Sequence, residues 1–207
     1  MKKLMALTVA MLGGTAALAA DWAEVGDAGE SLMTANITNG VGALTGITGV
    51  LNTNAEDLVD MYCIRIPDPS IFGATTVGGA SFDTQLFLFD VNGRGVTFND
   101  DAPAGGTLQS TISGQFVPAP GIYFLAISRY DRDPVDSNEA AIWNDTPFAA
   151  ERAPDGPGAA NPLAEWSGGG GSGGQYRIEL RNAAFHVPEP ASLSLLALGA
   201  LAARRRR

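Results

Sequence analysis

A chain of 207 residues has room for one core and a pair of short processing segments. With 26 glycines, 12 prolines and modest aromatic content it favours short strands joined by turns, and its single cysteine, Cys63, excludes a disulfide scaffold. Lys2, Lys3 and Arg204 to Arg207 sit at the two ends; between Asp21 and Pro190 seven arginines and no lysine face 22 acidic side chains, a net charge of about −15 that repels nucleic acid and anionic lipid and suits a soluble secreted protein.

Residues 1–20 open with Lys2 and Lys3, continue with an apolar run from Leu4 to Leu12 and end in small residues through Ala20. This is the three-part form of a secretory signal peptide, and it predicts a helix removed by signal peptidase after passage through the Sec export machinery. A cut after Ala19 uses Ala17 and Ala19 as its small pair, so the mature chain is expected to begin at Ala20 or Asp21.

The body, residues 21–185, reads as strand, turn, strand. Strands are expected near Thr45 to Leu51, over Leu58 to Ile66 and near Ile71 to Val77. In the second of these, Tyr62, Ile64 and Ile66 share one face, and Cys63 is read as a small buried hydrophobe, since no lysine or histidine lies near it to activate a thiol. Further strands follow at Gln85 to Phe89, Arg94 to Phe98 and Leu108 to Ser113, the first two joined through the hairpin signal Asn92-Gly93. Around that hairpin, Asp83, Asp90, Asn92, Asn99, Asp100 and Asp101 offer the hard oxygen ligands of a Ca²⁺ site. Their spacing is not that of an EF-hand loop, and Arg94 stands where an acidic ligand would help. The bland alternative, preferred here, is that they form Asx turns and solvate hairpin ends, leaving the protein without a cofactor.

Ile122 to Ile127 is apolar on both faces and belongs in the middle of a sheet. The segment 130–174 is long, rich in Asp, Pro and Gly, and ends in the glycine run of 168–174; a connection of that length is functional or disordered more often than not. Its rings, Trp143, Phe148 and Trp166, are expected to fold back and cap an open end of the body, because burial of a large aromatic outweighs the ordering of a loop. Gln175 to Arg181 alternates, with Tyr176, Ile178 and Leu180 inward. About eight strands with this turn chemistry predict an all-β, two-sheet β-sandwich or jelly roll.

The order of Asp57-Leu58-Val59-Asp60-Met61-Tyr62, Ser81 to Gly93 with Asn99-Asp100-Asp101, and Pro120-Gly121-Ile122-Tyr123-Phe124-Leu125 resembles the bacterial pre-peptidase C-terminal domain over roughly Glu56 to Leu180. That resemblance implies an accessory or binding module and not a catalyst.

Residues 186–207 read Val187-Pro188-Glu189-Pro190, then Ala191 to Ala203 without a charge, then four arginines. A helix over the apolar run spans about 20 Å at 1.5 Å per residue, short of the roughly 30 Å hydrocarbon layer, so it inserts only transiently. The three parts in this order resemble the PEP-CTERM sorting signal of Gram-negative bacteria. The resemblance implies Pro188, Glu189 and Pro190 as the recognition motif, a transient inner-membrane helix, Arg204, Arg205, Arg206 and Arg207 as the stop cluster, and a membrane protease, the exosortase, as partner.

No catalytic residues are assigned. The one histidine, His186, abuts the tag, and no nucleophile elbow, zinc-binding helix or phosphate loop is present. The expectation is therefore a non-enzymatic protein displayed on the cell surface or in the extracellular polysaccharide matrix. A calcium-dependent module binding carbohydrate or protein is the second reading, and a glycan hydrolase using two carboxylates the third.

Overall fold

The computed structural model describes residues 19–52, 57–103, 105–169 and 171–188. The predicted signal helix up to Leu18 and the apolar helix of Ala191 to Ala203 lie outside the described residues. The described chain is all-β. Its strands are β1 (Ala20–Ala23), β2 (Asn36–Ile37), β3 (Asn39–Gly40), β4 (Ala43–Leu51), β5 (Val59–Ile66), β6 (Gly73–Thr75), β7 (Thr84–Phe89) and β8 (Gly95–Asn99). They continue with β9 (Thr111–Ser113), β10 (Gly121–Arg129), β11 (Arg132–Val135), β12 (Glu165–Gly168), β13 (Gly174–Phe185) and β14 (Val187–Pro188). Among the described residues the single helical element is a 3-10 turn at Pro69–Ile71, and no helix is long and apolar enough to cross a membrane. The eight predicted strands all appear; β1, β2, β3, β11, β12 and β14 are additions, found before β4, within the long segment and at the start of the tag.

The main sheet runs β1-β4-β13-β5-β10-β7-β8. Its closure depends on β13, which pairs with β4 along one flank, bends at Asn182 in a left-handed conformation, and pairs with β6 before the bend and β5 after it. The sheet thereby folds back on itself, an arrangement that fits a β-sandwich. Between the two faces lies the main core, built from Leu44, Ile47, Ile64, Ile66, Leu86, Leu88, Leu125, Ile127, Ile178 and Leu180 among others. Alternation decides who enters it: Tyr62, Ile64 and Ile66, and opposite them Tyr176, Ile178 and Leu180, all point inward as their period of two requires. Cys63 is buried, and burial pushes its thiol up to about 11, so it serves as packing.

A second core occupies the opposite face of the same strands. Phe87 and Phe89, alternating with Leu86 and Leu88, meet Phe98, Trp143 and Trp166. Phe87 stacks on Phe98 at 4.6 Å and meets Trp166 edge-on at 5.3 Å, while Trp143 sits 5.6 to 5.8 Å from Phe87, Phe89 and Phe98. Gly95 lets the indole approach: a Cβ there would stand 2.6 Å from Trp143. The long segment therefore covers a sheet face, not the open end of the body, and Phe148 stays 38 % exposed while Trp143 and Trp166 are buried. The same segment screens the free edge of β8, where Phe98 and Arg152 exchange two backbone hydrogen bonds of 2.9 and 3.0 Å.

A buried carboxyl borders the main core. Asp60 on β5 is fully buried, and its Oδ2 accepts a 2.5 Å hydrogen bond from Tyr176, whose hydroxyl also lies 2.5 Å from that of Tyr62. Burial pushes Asp60 up to about 8, and Glu24, Asp57 and Asp27 add to the effect. A carboxyl with a raised folded-state value holds its proton where the unfolded chain has lost it, so its contribution to stability is lost as pH climbs from about 4 to 8.

In metal-free buffer, Asp60→Asn is expected to melt above the wild type at pH 8, with the gap closing towards pH 5; equal melting at both pH values would contradict this. Trp143→Ala is expected to cost about 3–5 kcal/mol and to open the 136–165 segment to protease, as read by thermal melting and limited digestion.

Candidate functional site: an acidic basin at one end of the sheet

Strand direction gathers the acidic residues. β7 is antiparallel to both β8 and β10, with Leu86 opposite Asn99 and Thr84 opposite Arg129. The start of β7 and the ends of β8 and β10 therefore share one end of the sheet. Asp83 precedes β7, Asp100 and Asp101 follow β8, and Asp131 and Asp133 follow β10, so residues far apart in the chain meet there. Asp145 joins them from the segment that covers the second core.

Two carboxylate groups result. Oxygens of Asp83, Asp100 and Asp101 lie within 4.8 Å of one another, and so do those of Asp131, Asp133 and Asp145. The groups feel each other, since both Asp131 and Asp133 add to the raised value of Asp100. Burial is the main cause of the shifts, pushing Asp83 up to about 6, Asp100 to about 8 and Asp133 to about 7, with neighbouring carboxylates adding to each. Gln85 fixes Asp133 by donating a 2.9 Å hydrogen bond to its Oδ1. None of the four ion pairs found among the described residues involves any of the six aspartates.

Of the six residues proposed from the sequence as calcium ligands, the structure brings together three: Asp83, Asp100 and Asp101. Asp90 lies at the other end of β7, seven residues and roughly 23 Å of extended chain from Asp83. Its Oδ1 accepts from the backbone N–H groups of Asn92 and Arg94 at 2.7 and 2.9 Å, closing the hairpin turn. Only Gly93 takes a left-handed conformation there, so Asn92 is not called on to supply one, and it serves the turn and not the basin. Arg94 reaches away to the Ala160 carbonyl. Asn99 reaches the basin's edge in a supporting role. Its Nδ2 donates to the carbonyls of Asp101 and Phe148 at 2.7 and 3.3 Å, and its Oδ1 accepts from Thr111 N–H at 2.7 Å. It therefore ties the Asp100-Asp101 loop to β9 and to the covering segment. Sequence reasoning missed Asp131, Asp133 and Asp145; the acidic composition of the long segment was the one signal they gave.

A second acidic group, Glu24, Asp27 and Asp60, lies beside the Tyr62–Tyr176 pair. Glu24 is engaged by the Ala28 and Val50 N–H groups at 3.1 and 3.0 Å, which ties the N-terminal segment to β4.

At the far end of the body the described chain runs directly into the sorting tag. Phe185 closes the main core, the His186 N–H donates to Thr38 Oγ1 at 3.1 Å, and Val187 and Pro188 pair in parallel with Asn39 and Gly40. Glu189, Pro190 and Arg204 to Arg207 lie outside the described residues.

A family model described as the PEP-CTERM protein-sorting motif matches residues 186–207. The motif implies an exported protein sorted to the cell surface, with an exosortase as its processing partner. No curated protein matches the chain.

Asn99→Ala is expected to destabilise the protein by about 1–3 kcal/mol through the unpaired Thr111 N–H and the freed loop, measured by denaturant unfolding.

Proposed function

We propose that this protein is an exported, non-catalytic surface or matrix component: a β-sandwich body of the pre-peptidase C-terminal type, delivered by one disposable segment at each end. The match at residues 186–207 carries the reading. Signal peptidase frees the N-terminus at Ala20 or Asp21, next to an edge strand that Asp21 anchors through a 2.6 Å ion pair with Arg177. The apolar run Ala191 to Ala203 lodges in the inner membrane with Arg204 to Arg207 held on the cytoplasmic side. The exosortase then recognises Pro188, Glu189 and Pro190 and removes the tail. The body goes to the surface or into extracellular polysaccharide, where its net acidity keeps it soluble. The non-catalytic reading is supported by the place of His186 in the chain: its backbone N–H donates to Thr38 Oγ1 beside the tag, away from the acidic basin's sheet end.

Intact-mass spectrometry of the protein recovered from membranes, surface and medium tests this. Surface material is expected to start at Ala20 or Asp21 and to lack Arg204 to Arg207, while a Pro188→Ala/Pro190→Ala variant keeps Arg207 and stays in the inner membrane. Native protein that retains Arg207 and resides in the cytoplasm would overturn the reading.

A further inference from the structure

We propose that Asp83, Asp100 and Asp101 hold a Ca²⁺ ion, with Asp131, Asp133 and Asp145 as the adjoining anionic wall. The clustering alone would not require an ion. Asp100 adds a second observation: it is 2 % exposed, its Oδ1 has no hydrogen-bond partner, and its carboxylate lies within 4.8 Å of those of Asp83 and Asp101. A buried carboxylate oxygen left without a donor is costly unless something positive completes it. A buried oxygen of Asp83 is in the same condition. A side chain from a partner protein could not reach a group as enclosed as Asp100, whereas a bare cation can.

The chemistry selects calcium. Three carboxylates offer up to six hard oxygens, Asp83 and Asp101 are half-buried so that water can complete the shell, and the ligands come from two loops with no fixed octahedral frame. Ca²⁺ accepts six to eight oxygens in variable geometry, whereas Mg²⁺ demands a near-ideal octahedron. The ion would join the start of β7 to the loop after β8, which Asn99 and the Asp101 N–H already tie to Phe148 of the covering segment. Calcium thus acts as a clasp on the second core. It is encountered at the concentration such external sites need, about 0.1–1 mM, only outside the cell.

The proposal stands apart from the sorting reading, and its failure would leave that reading intact. The test uses the exported protein stripped with EDTA and returned to CaCl₂, followed by thermal melting and calorimetric titration. At saturating calcium the melting temperature is expected to rise by about 5–10 °C. Asp100→Asn is expected to abolish that rise, while melting no lower than the wild type without calcium, because a repelling charge is gone. Should Asp100→Asn fail to fold, Asp83→Asn/Asp101→Asn, at half-buried positions, reads the same loss. Asp60→Asn, in the other acidic group, is expected to retain the rise. An absent calcium response in the wild type, or one that survives in the basin variants, overturns the proposal.

Discussion

A strand that is apolar on both faces cannot leave either face in water, and β7 imposes that constraint on the rest of the molecule. Leu86 and Leu88 enter the core enclosed by the folded sheet, while Phe87 and Phe89 project from the other side. Fully burying each large side chain is worth about 1.5–3 kcal/mol, enough to recruit a covering layer from a segment otherwise poor in regular structure. Trp143 and Trp166 supply that layer, and Pro134, Val135, Glu165 and their neighbours hold it as the two-stranded ribbon β11-β12. Covering the sheet then has an electrostatic by-product. The chain that leaves β10 and crosses the outer face carries Asp131, Asp133 and Asp145 past Asp83, Asp100 and Asp101, and packing overrides their mutual repulsion.

This dependence explains what could and could not be read in advance. Period-two alternation located the inward residues of β5 and β13, Tyr62, Ile64 and Ile66 in one and Tyr176, Ile178 and Leu180 in the other. Ile122 to Ile127 announced a central strand, and β10 does lie between β5 and β7. Gln85 to Phe89 was legible as a strand, but an unbroken apolar run says nothing about what covers its second face. For that reason the sequence places the rings of the 130–174 segment at an open end, whereas Trp143 and Trp166 cover a sheet face. Local chemistry served better than long-range chemistry at the hairpin: Asp90 and Asn92 belong to a turn, as their residue types suggest. The meeting of Asp83 with Asp100 follows from antiparallel pairing and is implicit in the hairpin. That of Asp133 with Gln85 depends on β10 lying beside β7, which no local pattern specifies.

The two acidic groups differ in how the fold accommodates them. Asp60 is buried beside a tyrosine pair, so that the Tyr176 hydroxyl serves its Oδ2, while its Oδ1 has no hydrogen-bond partner. Asp100 has no such hydroxyl for its Oδ1 and lies next to further carboxylates. Both are carboxyls raised by desolvation, and each has one buried oxygen without a hydrogen-bond partner; they differ in that Asp60 has the Tyr176 hydroxyl on its other oxygen, whereas Asp100 sits in a basin shared by six aspartates.

The pairing of Val187 and Pro188 with Asn39 and Gly40 has a mechanical consequence for how closely the body is joined to the segment matched by the sorting motif. Six residue steps separate Phe185 from Ala191, at most about 20 Å of chain, and Val187 and Pro188 are already committed to strand pairing. If the tail is held in the inner membrane as proposed, so short a connection leaves no stalk, and the body's negative charge would be repelled by anionic headgroups. Cutting such a connection would then relieve that repulsion and favour release of the body.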